Sequence, residues 1–557
     1  MRKSNIKDNT KKTNYFKLLL FSMVVVLICC FFISQKKDLY IDELFTYGLA
    51  NNSFQLDIDD YTKYSGEELL LKYTSVKEGQ LFNAKNVFEN QQFDTHPPLY
   101  YLLVNFICSF NPNKFSLWYG LIINIILMAI LFWELSYLLN KVINNELFSN
   151  FIVLISFLNY GFVNEAVLTR MYVMLSCVSL GFIILVINKI DNLTNNNEEI
   201  DIKFLFSFFI LCILGILTQY HFMIIAEIFS VILGASLIYH KKFKLLAGSF
   251  LAGICSICTS YLIFPKMRDH IIGANDSIHS LTKAATNSTA FTRGIEFLKS
   301  IQKGFFGHSF IFYLAALFVL IILFLAINRK NKISLYEIIV KNKLYFTIFV
   351  SCIIYFLIIT FTSNYDFERY MYNIYPLVLI IIASPMYLIL KNINPVGSFL
   401  ALLMIFGVSI SSIISASPTF LYHNTTAAIE FIHNNRNVKM VLVYSSDEEH
   451  KKLKTVVPVS YEDRQLNNGI ANNFWKLPVN LYLFKEMKNM TYVNSANYDS
   501  FLNITDKNIS DNNDLFVVIF THVNDEYVIN RLMEINNVTN VSRIFFTDYM
   551  HMYRLTK

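Results

Sequence analysis

The chain has 557 residues, of which 54% are apolar and only 16% charged, with 51 Phe and 33 Tyr; a soluble protein would carry roughly 25% charge. The net charge of +6 comes from Lys and Arg in short connectors between apolar runs, as the positive-inside rule predicts. With no basic face or base-stacking motif beside it, this charge excludes nucleic acid as a partner. The apolar runs are about 17 to 24 residues long, enough to cross a hydrocarbon core of roughly 30 Å as helices. Composition alone therefore makes this a polytopic α-helical membrane protein.

The first element is a basic segment, residues 1–12, followed by an apolar run over 15–34. No small-residue cleavage site follows, since Ser34-Gln-Lys-Lys-Asp38 lacks one, so the run reads as a retained signal anchor with its N-terminus in the cytoplasm. Just beyond it lies Asp38-Leu-Tyr-Ile-Asp-Glu-Leu-Phe-Thr-Tyr47, with the acidic pair Asp42-Glu43 at the lip of the span. Fifty residues later, Asp94-Thr-His-Pro-Pro-Leu-Tyr-Tyr101 brings an acid, a titratable imidazole and a stiff double proline to the next apolar segment, 97–110.

Further spans are expected at 115–138, 147–163, 171–188, 203–219, 222–239, 245–264, 309–327, 343–362, 374–390 and 397–415, about eleven in all. Charge decides the place of 97–110. If it lies at the outer interface, most short-loop Lys and Arg fall on the cytoplasmic side; if it spans, the later basic loops fall outside. The expected organisation is a transmembrane domain over 1–415, with external loops 35–114 (carrying the interfacial helix 97–110) and 265–308, and an extracytoplasmic domain over 416–557. The protein is thus expected in the plasma membrane, with the C-terminal domain outside. Its Asn and Lys usage points to an AT-rich bacterial genome, which makes the Asn-x-Ser/Thr triplets compositional.

From about Pro418 the pattern changes to short apolar runs at Val441–Tyr444, Val456–Val459, Leu515–Phe520 and Arg543–Phe546, read as buried strands, with helical patterns at Ala427–His433 and Tyr527–Ile535. About 140 residues suffice for a small α/β domain. All eight cysteines, at 29, 30, 108, 177, 212, 255, 258 and 352, fall in or beside apolar segments, so none supplies a metal-spaced pair in a polar loop or a disulfide to the C-terminal domain.

The topology puts the unusual polar chemistry on one face. Adjacent carboxylates such as Asp42 and Glu43 can divide labour, one as base and one as orienter or metal ligand, although acids beside a span also serve simply as polar caps. Asp94 and His96, two apart on extended backbone before Pro97-Pro98, point in similar directions; His96 can bind phosphate when protonated or hold a carboxylate ionised. The bland alternative is a helix entry with proline in its first turn. Arg170 and Arg369 sit at outer helix ends, where arginine either snorkels to headgroups or matches phosphate oxygens; Glu165, Asp366 and Glu368 are available ion-pair partners. His221 lies at an outer hairpin tip, where a structural role is as natural as a functional one. His270, Asp276 and His279 lack tight metal spacing, and no metal is assigned; a divalent cation has no identified ligand set.

Taken in order, Asp42-Glu43 after the first span, His96-Pro-Pro-Leu-Tyr-Tyr101, Glu165…Arg170-Met-Tyr172, the Thr218-Gln-Tyr-His221 turn and Arg369-Tyr370…Pro376 resemble the GT-C membrane glycosyltransferases of the protein O-mannosyltransferase and aminoarabinose-transferase type (family 39 and its bacterial relatives), over roughly 15–415. The resemblance implies a GT-C fold, a polyprenyl-phosphate sugar as donor, and inverting transfer to a hydroxyl on the outer side; the acceptor is a lipid, a protein or a wall polymer. It implies that Asp42 deprotonates or orients the acceptor hydroxyl with Glu43 beside it, and that Asp94 and His96 belong to the same loop site. Arg170 and Arg369 would hold the donor phosphate, with Tyr172, His221 and Tyr370 in the substrate site and Glu165 as a secondary acid. The chain departs from the pattern where relatives carry Arg at the entry to the second span: here Phe115-Ser-Leu-Trp118 places Trp118. The turn also reads Gln-Tyr-His where Thr-His-Tyr is commoner. A transporter of lipid-linked glycans would need charges within spans, where Glu134 is nearly the only candidate; a non-catalytic glycolipid-binding protein is the remaining alternative.

Overall fold

The computed structural model describes residues 2–556 apart from 54, 194–199, 272–288, 331–341, 364, 394–395, 446–475, 495–513, 521–522, 524, 537–538 and 548. The chain forms two compact units, one of residues 1–36 with 121–421 and one of 37–120 with 422–557.

The helices, in chain order, begin with α1 (Arg2–Ser34), α2 (Ile41–Asn51), α3 (Gly66–Thr74), α4 (Ala84–Gln91), α5 (Leu99–Cys108), α6 (Leu117–Ile143), α7 (Glu146–Ser156), α8 (Tyr160–Val167) and α9 (Tyr172–Asp191). They continue with α10 (Ile202–Thr218), α11 (Phe222–Tyr239) and α12 (Phe243–Ile263). Longer helices then follow at Thr289–Phe305, Phe310–Lys330, Lys343–Thr362, Tyr375–Ile393 and Gly397–Ser415.

Among the described residues, seven helices are long and apolar enough to cross a bilayer, and α7 with α8 makes an eighth if taken as one broken span. The outward faces agree with lipid as solvent: on α12, Phe250 is 71% and Leu262 77% exposed, which an aqueous surface would not favour. The polytopic helical fold is as expected. Three more of the expected spans are met among the described residues by shorter apolar helices, Leu19–Ser34, Ile202–Thr218 and Gly307–Val319. Segment 97–110 forms α5, whose ten residues rise only about 15 Å, too little to cross.

The expected span 147–163 is broken, with α7 and α8 meeting at 69°. The cause is local. Asn159 caps α8 by accepting from Phe162 N at 2.8 Å, so the helix restarts there in a new direction. Asn124 of α6 then donates to the carbonyls of Ala166 (3.1 Å) and Leu168 (2.7 Å), satisfying the end of α8 inside the bundle.

The second unit joins the long segment after α1 to the C-terminal residues, so the division differs from a single cut near 415. Its sheet runs β1-β3-β2-β4-β6-β5, from β1 (Lys63–Tyr64), β2 (Lys439–Tyr444), β3 (Met490–Asn494), β4 (Leu515–Phe520), β5 (Asn540–Phe546) and β6 (Met550–Thr556). Strands β3, β2 and β4 are parallel, while β1, β6 and β5 pair antiparallel. Every residue of β4 is buried, and both faces of β2 are covered, as expected of strands with helices on either side. One face packs Val441, Val517 and Ile519 against Val528 and Leu532 of the helix Asp525–Asn536. On the other, Phe431 of the helix Thr426–Asn434 meets Phe516 with ring centroids 5.4 Å apart. The strands read at 441–444, 515–520 and 543–546 are present within β2, β4 and β5, as are the two helices; Val456–Val459 lies outside the described residues.

Two contacts tie β1 and its flanks to this sheet. Gly66 N donates to Met487 O at 2.7 Å, and Tyr444 OH donates to Asp60 at 2.8 Å. A Cβ at Gly66 would stand 1.9 Å from the carbonyl oxygen of Phe484, so only glycine lets α3 approach so closely.

Candidate functional site

In the sheet-bearing unit, α2 carries the acidic pair in its first turn, where the partial positive charge of the helix N-terminus favours carboxylates. The two side chains differ. Glu43 is fully buried, and its Oε2 accepts from Tyr40 N at 2.9 Å, closing the helix start. Asp42 is only half-buried. Asp38, also buried, fixes the approach to the helix by accepting from Leu39 N at 2.8 Å.

Tyr422 faces the same group. Its phenol is pushed well above the usual tyrosine range, first by burial and then by Glu43, Tyr40, Asp38 and Asp42. Its backbone is left-handed, with φ +57°, an unusual conformation for an aromatic residue. Sequence reading did not find Tyr422, because it belongs to no local motif and reaches these acids only through the fold; Asp38 was visible only as part of a run.

The second motif forms a compact network at the entry to α5. His96 Nδ1 lies 3.0 Å from Asp94 Oδ2, which also accepts from Tyr101 OH at 3.1 Å. The buried Gln91 carboxamide, with its nitrogen turned inward, donates to Asp94 Oδ2 (3.3 Å) and to the His96 carbonyl (2.8 Å). Asp94 also contributes, after burial, to raising the phenol of Tyr73. Pro98 precedes the helix and fixes its first turn. Helix α2 is held against its neighbours by side-chain amides: Asn105 of α5 donates to Ala50 O at 3.0 Å, and Asn90 of α4 to Leu49 O at 2.8 Å. The two motifs read from sequence thus occupy adjoining helices of one unit.

The helical unit holds the remaining predicted residues. The break after α7 aims α8 so that Asn164 donates to Glu368 Oε1 (3.3 Å) and Tyr160 OH to Glu368 Oε2 (3.4 Å). Tyr372 OH adds a third donor at 3.2 Å. The Lys303 ammonium lies 4.4 Å from the Tyr160 ring centroid. Glu165 is fully buried and accepts from Ser176 at 2.7 Å through one oxygen; the other has no hydrogen-bond partner among the described residues. Buried Arg170 stands in the turn between α8 and α9. Tyr172 opens α9 and meets Tyr372 edge-on at 5.9 Å.

His221 precedes α11 and packs against Tyr370, ring centroids 5.2 Å apart, while the Arg369 guanidinium lies 4.1 Å over the Phe367 ring. The residues this unit gathers around Glu368, namely Tyr160, Tyr372 and Lys303, were not singled out from sequence. His270 accompanies Tyr220 at 3.0 Å; Asp276 and His279 lie outside the described residues. Among the described residues, no group of three His, Cys, Asp or Glu side chains is arranged to hold a metal ion.

No protein-family model matches the sequence, and no curated protein matches it. Among solved structures, the chain is similar to ArnT from Cupriavidus metallidurans bound to undecaprenyl phosphate, with 9% identity over 96% of this chain and 97% of that one, and a TM-score of 0.48.

Proposed function

We propose that this chain is a membrane glycosyltransferase that moves a sugar, with inversion, from a polyprenyl-phosphate donor to an acceptor hydroxyl on the outer face of the membrane. The observation that carries this reading is the division of the acidic pair. Glu43 is buried and spent on the start of α2, whereas its neighbour Asp42 keeps part of its surface open beside Asp38 and Tyr422. A base must present a lone pair to a proton that belongs to the substrate, and the partly open surface of Asp42 supports that role.

In this reading the Asp42 carboxylate takes the proton of the acceptor hydroxyl as its oxygen bonds to the anomeric carbon. The bond from that carbon to the donor phosphate oxygen breaks, and its electron pair leaves with the polyprenyl phosphate. Arg170 and Arg369 supply the fixed positive charge that a departing phosphate needs. Asp94 keeps His96 oriented, and Tyr172, His221 and Tyr370 shape the substrate site, with Glu165 as a secondary acid.

The test uses purified full-length protein in lipid nanodiscs, supplied with an undecaprenyl-phosphate sugar, and follows release of undecaprenyl phosphate and transfer to added envelope extract. The wild type consumes the donor, and Asp42→Asn inserts normally but does not. A wild type that leaves the donor intact, or an Asp42→Asn variant that keeps the wild-type rate, overturns the proposal.

A further inference from the structure

The sheet-bearing unit contains a cleft of about 630 Å³ on which the proposed chemistry makes no demand. It opens between the start of α3, the entry to α6 and the chain around 482–488, and it continues into a shallower depression of about 550 Å³ that shares Ser65, Glu67 and Leu71 with it. Together they form a groove rather than a single pocket, which suits a chain-like ligand. Backbone bonds build its walls: Gly66 N to Met487 O at 2.7 Å and Lys488 N to Arg436 O at 3.0 Å.

The lining combines two chemistries. Trp118, 42% exposed, presents an open aromatic surface in the cleft. Phe115 and Tyr482 meet edge-on at 6.2 Å, and the Lys485 ammonium sits 3.7 Å over the Tyr482 ring. Arg436, Lys485 and Lys488 line the cleft against two carboxylates, Glu67 and Glu486, and Glu486 lies 2.5 Å from His433. The depression adds Lys72 and Lys77 beside Glu68. A membrane-interface belt accounts for a tryptophan at the start of a span. It does not account for a groove that sets that ring among several cations.

Flat aromatic surfaces pack against the C–H faces of pyranose rings, while charged side chains at the margin bond hydroxyls and acidic groups. We propose that this groove binds an oligosaccharide carrying acidic groups, as the sugar chain of the acceptor. The word acceptor rests on the transferase reading; the binding site does not. Trp118, the residue that departs from the family pattern, is then a sugar-stacking residue.

The experiment titrates the full-length protein in nanodiscs with an oligogalacturonide, following tryptophan fluorescence and affinity. A neutral chito-oligosaccharide and polyglutamate serve as comparison probes. The expected result is saturable binding of the oligogalacturonide, weaker binding of the neutral chain, and a signal that Trp118→Phe alters. The double variant Arg436→Glu/Lys485→Glu should lose about tenfold or more in affinity while keeping the wild-type melting temperature. Absence of oligogalacturonide binding, equal binding of polyglutamate, or a double variant of unchanged affinity overturns the groove. Asp42→Asn should bind the oligogalacturonide as the wild type does. Binding without any donor consumption supports the groove and overturns only the transferase reading, whereas Asp42-dependent transfer without binding does the reverse.

Discussion

The carboxylates of the two units live under different constraints. In the helical unit Glu368 gathers Asn164, Tyr160 and Tyr372 as donors, and Glu165 is wholly buried against Ser176. In the sheet-bearing unit the adjacent Asp42 and Glu43 split: one stays half-open and the other is buried to hold a helix start. An acid surrounded by protein donors holds elements together, because removing it strands those donors without water. An acid with an open edge can exchange a proton with a ligand. All four are carboxylates; the environment separates them.

The largest effect expected from this contrast is on rate. Asp42→Asn should lower donor-dependent transfer by about 10² to 10⁴-fold, the usual worth of a general base, with an unchanged melting temperature. Glu43→Gln should instead act mainly on stability, because its carboxylate bonds the Tyr40 amide. Equal rate losses for the two variants, with equal melting temperatures, would erase the distinction between them.

Next in size is the cost of emptying the Glu368 site. Glu368→Ala leaves Asn164, Tyr160 and Tyr372 without their acceptor, and about 3 kcal/mol of stability should be lost. Glu368→Gln, which keeps an acceptor oxygen, should recover much of it. A fluorescence-detected melting series in detergent measures both, and an alanine variant as stable as wild type would show that the cluster holds nothing together.

Gly66→Ala should cost the sheet-bearing unit about 1–3 kcal/mol as α3 is pushed off the chain at Phe484. Limited proteolysis would read this as faster cleavage after Asn434. Unchanged protection would mean that this close approach is easily relieved.

What the sequence made legible, and what it hid, follows the same physics. Strands β2 and β4 could be read because both their faces are buried, which leaves uninterrupted runs such as Leu515–Phe520. Strand β1 has two residues, Lys63 and Tyr64, and no composition can announce a strand that exists only because Thr491 and Met490 offer it an edge. The break between α7 and α8 was missed because hydropathy runs smoothly through it. Its signal was Asn159, an N-cap residue inside an apolar run, and a capping scan would have found it. Asp42, Glu43, Asp94 and His96 stood out as motifs with short local spacing. Tyr422 reaches the acids across hundreds of residues, and no spacing rule encodes that.

The smallest effect expected is on the pH dependence of the sheet-bearing unit, and its sign is fixed by the buried phenols. Burial comes first in raising Tyr47, Tyr73, Tyr422 and Tyr492 above the usual tyrosine range, with carboxylates adding to it at Tyr47, Tyr73 and Tyr422. A phenol whose folded pKa exceeds its unfolded value of about 10 contributes fully below that pH, because both states are then protonated. Above it the unfolded chain releases the proton first and is favoured, so stability falls as pH rises, by at most about 1.4 kcal/mol per pH unit for each such phenol. Stability followed by urea unfolding should therefore be flat from neutrality to about pH 10 and decline beyond it. Tyr422→Phe should make the decline shallower, and Asp42→Asn should do so slightly, by removing one of the charges that disfavour the phenolate. If the slope is the same in wild type and Tyr422→Phe, the phenol is not held among the acids of α2, and the grouping of Asp38, Asp42 and Glu43 around it fails.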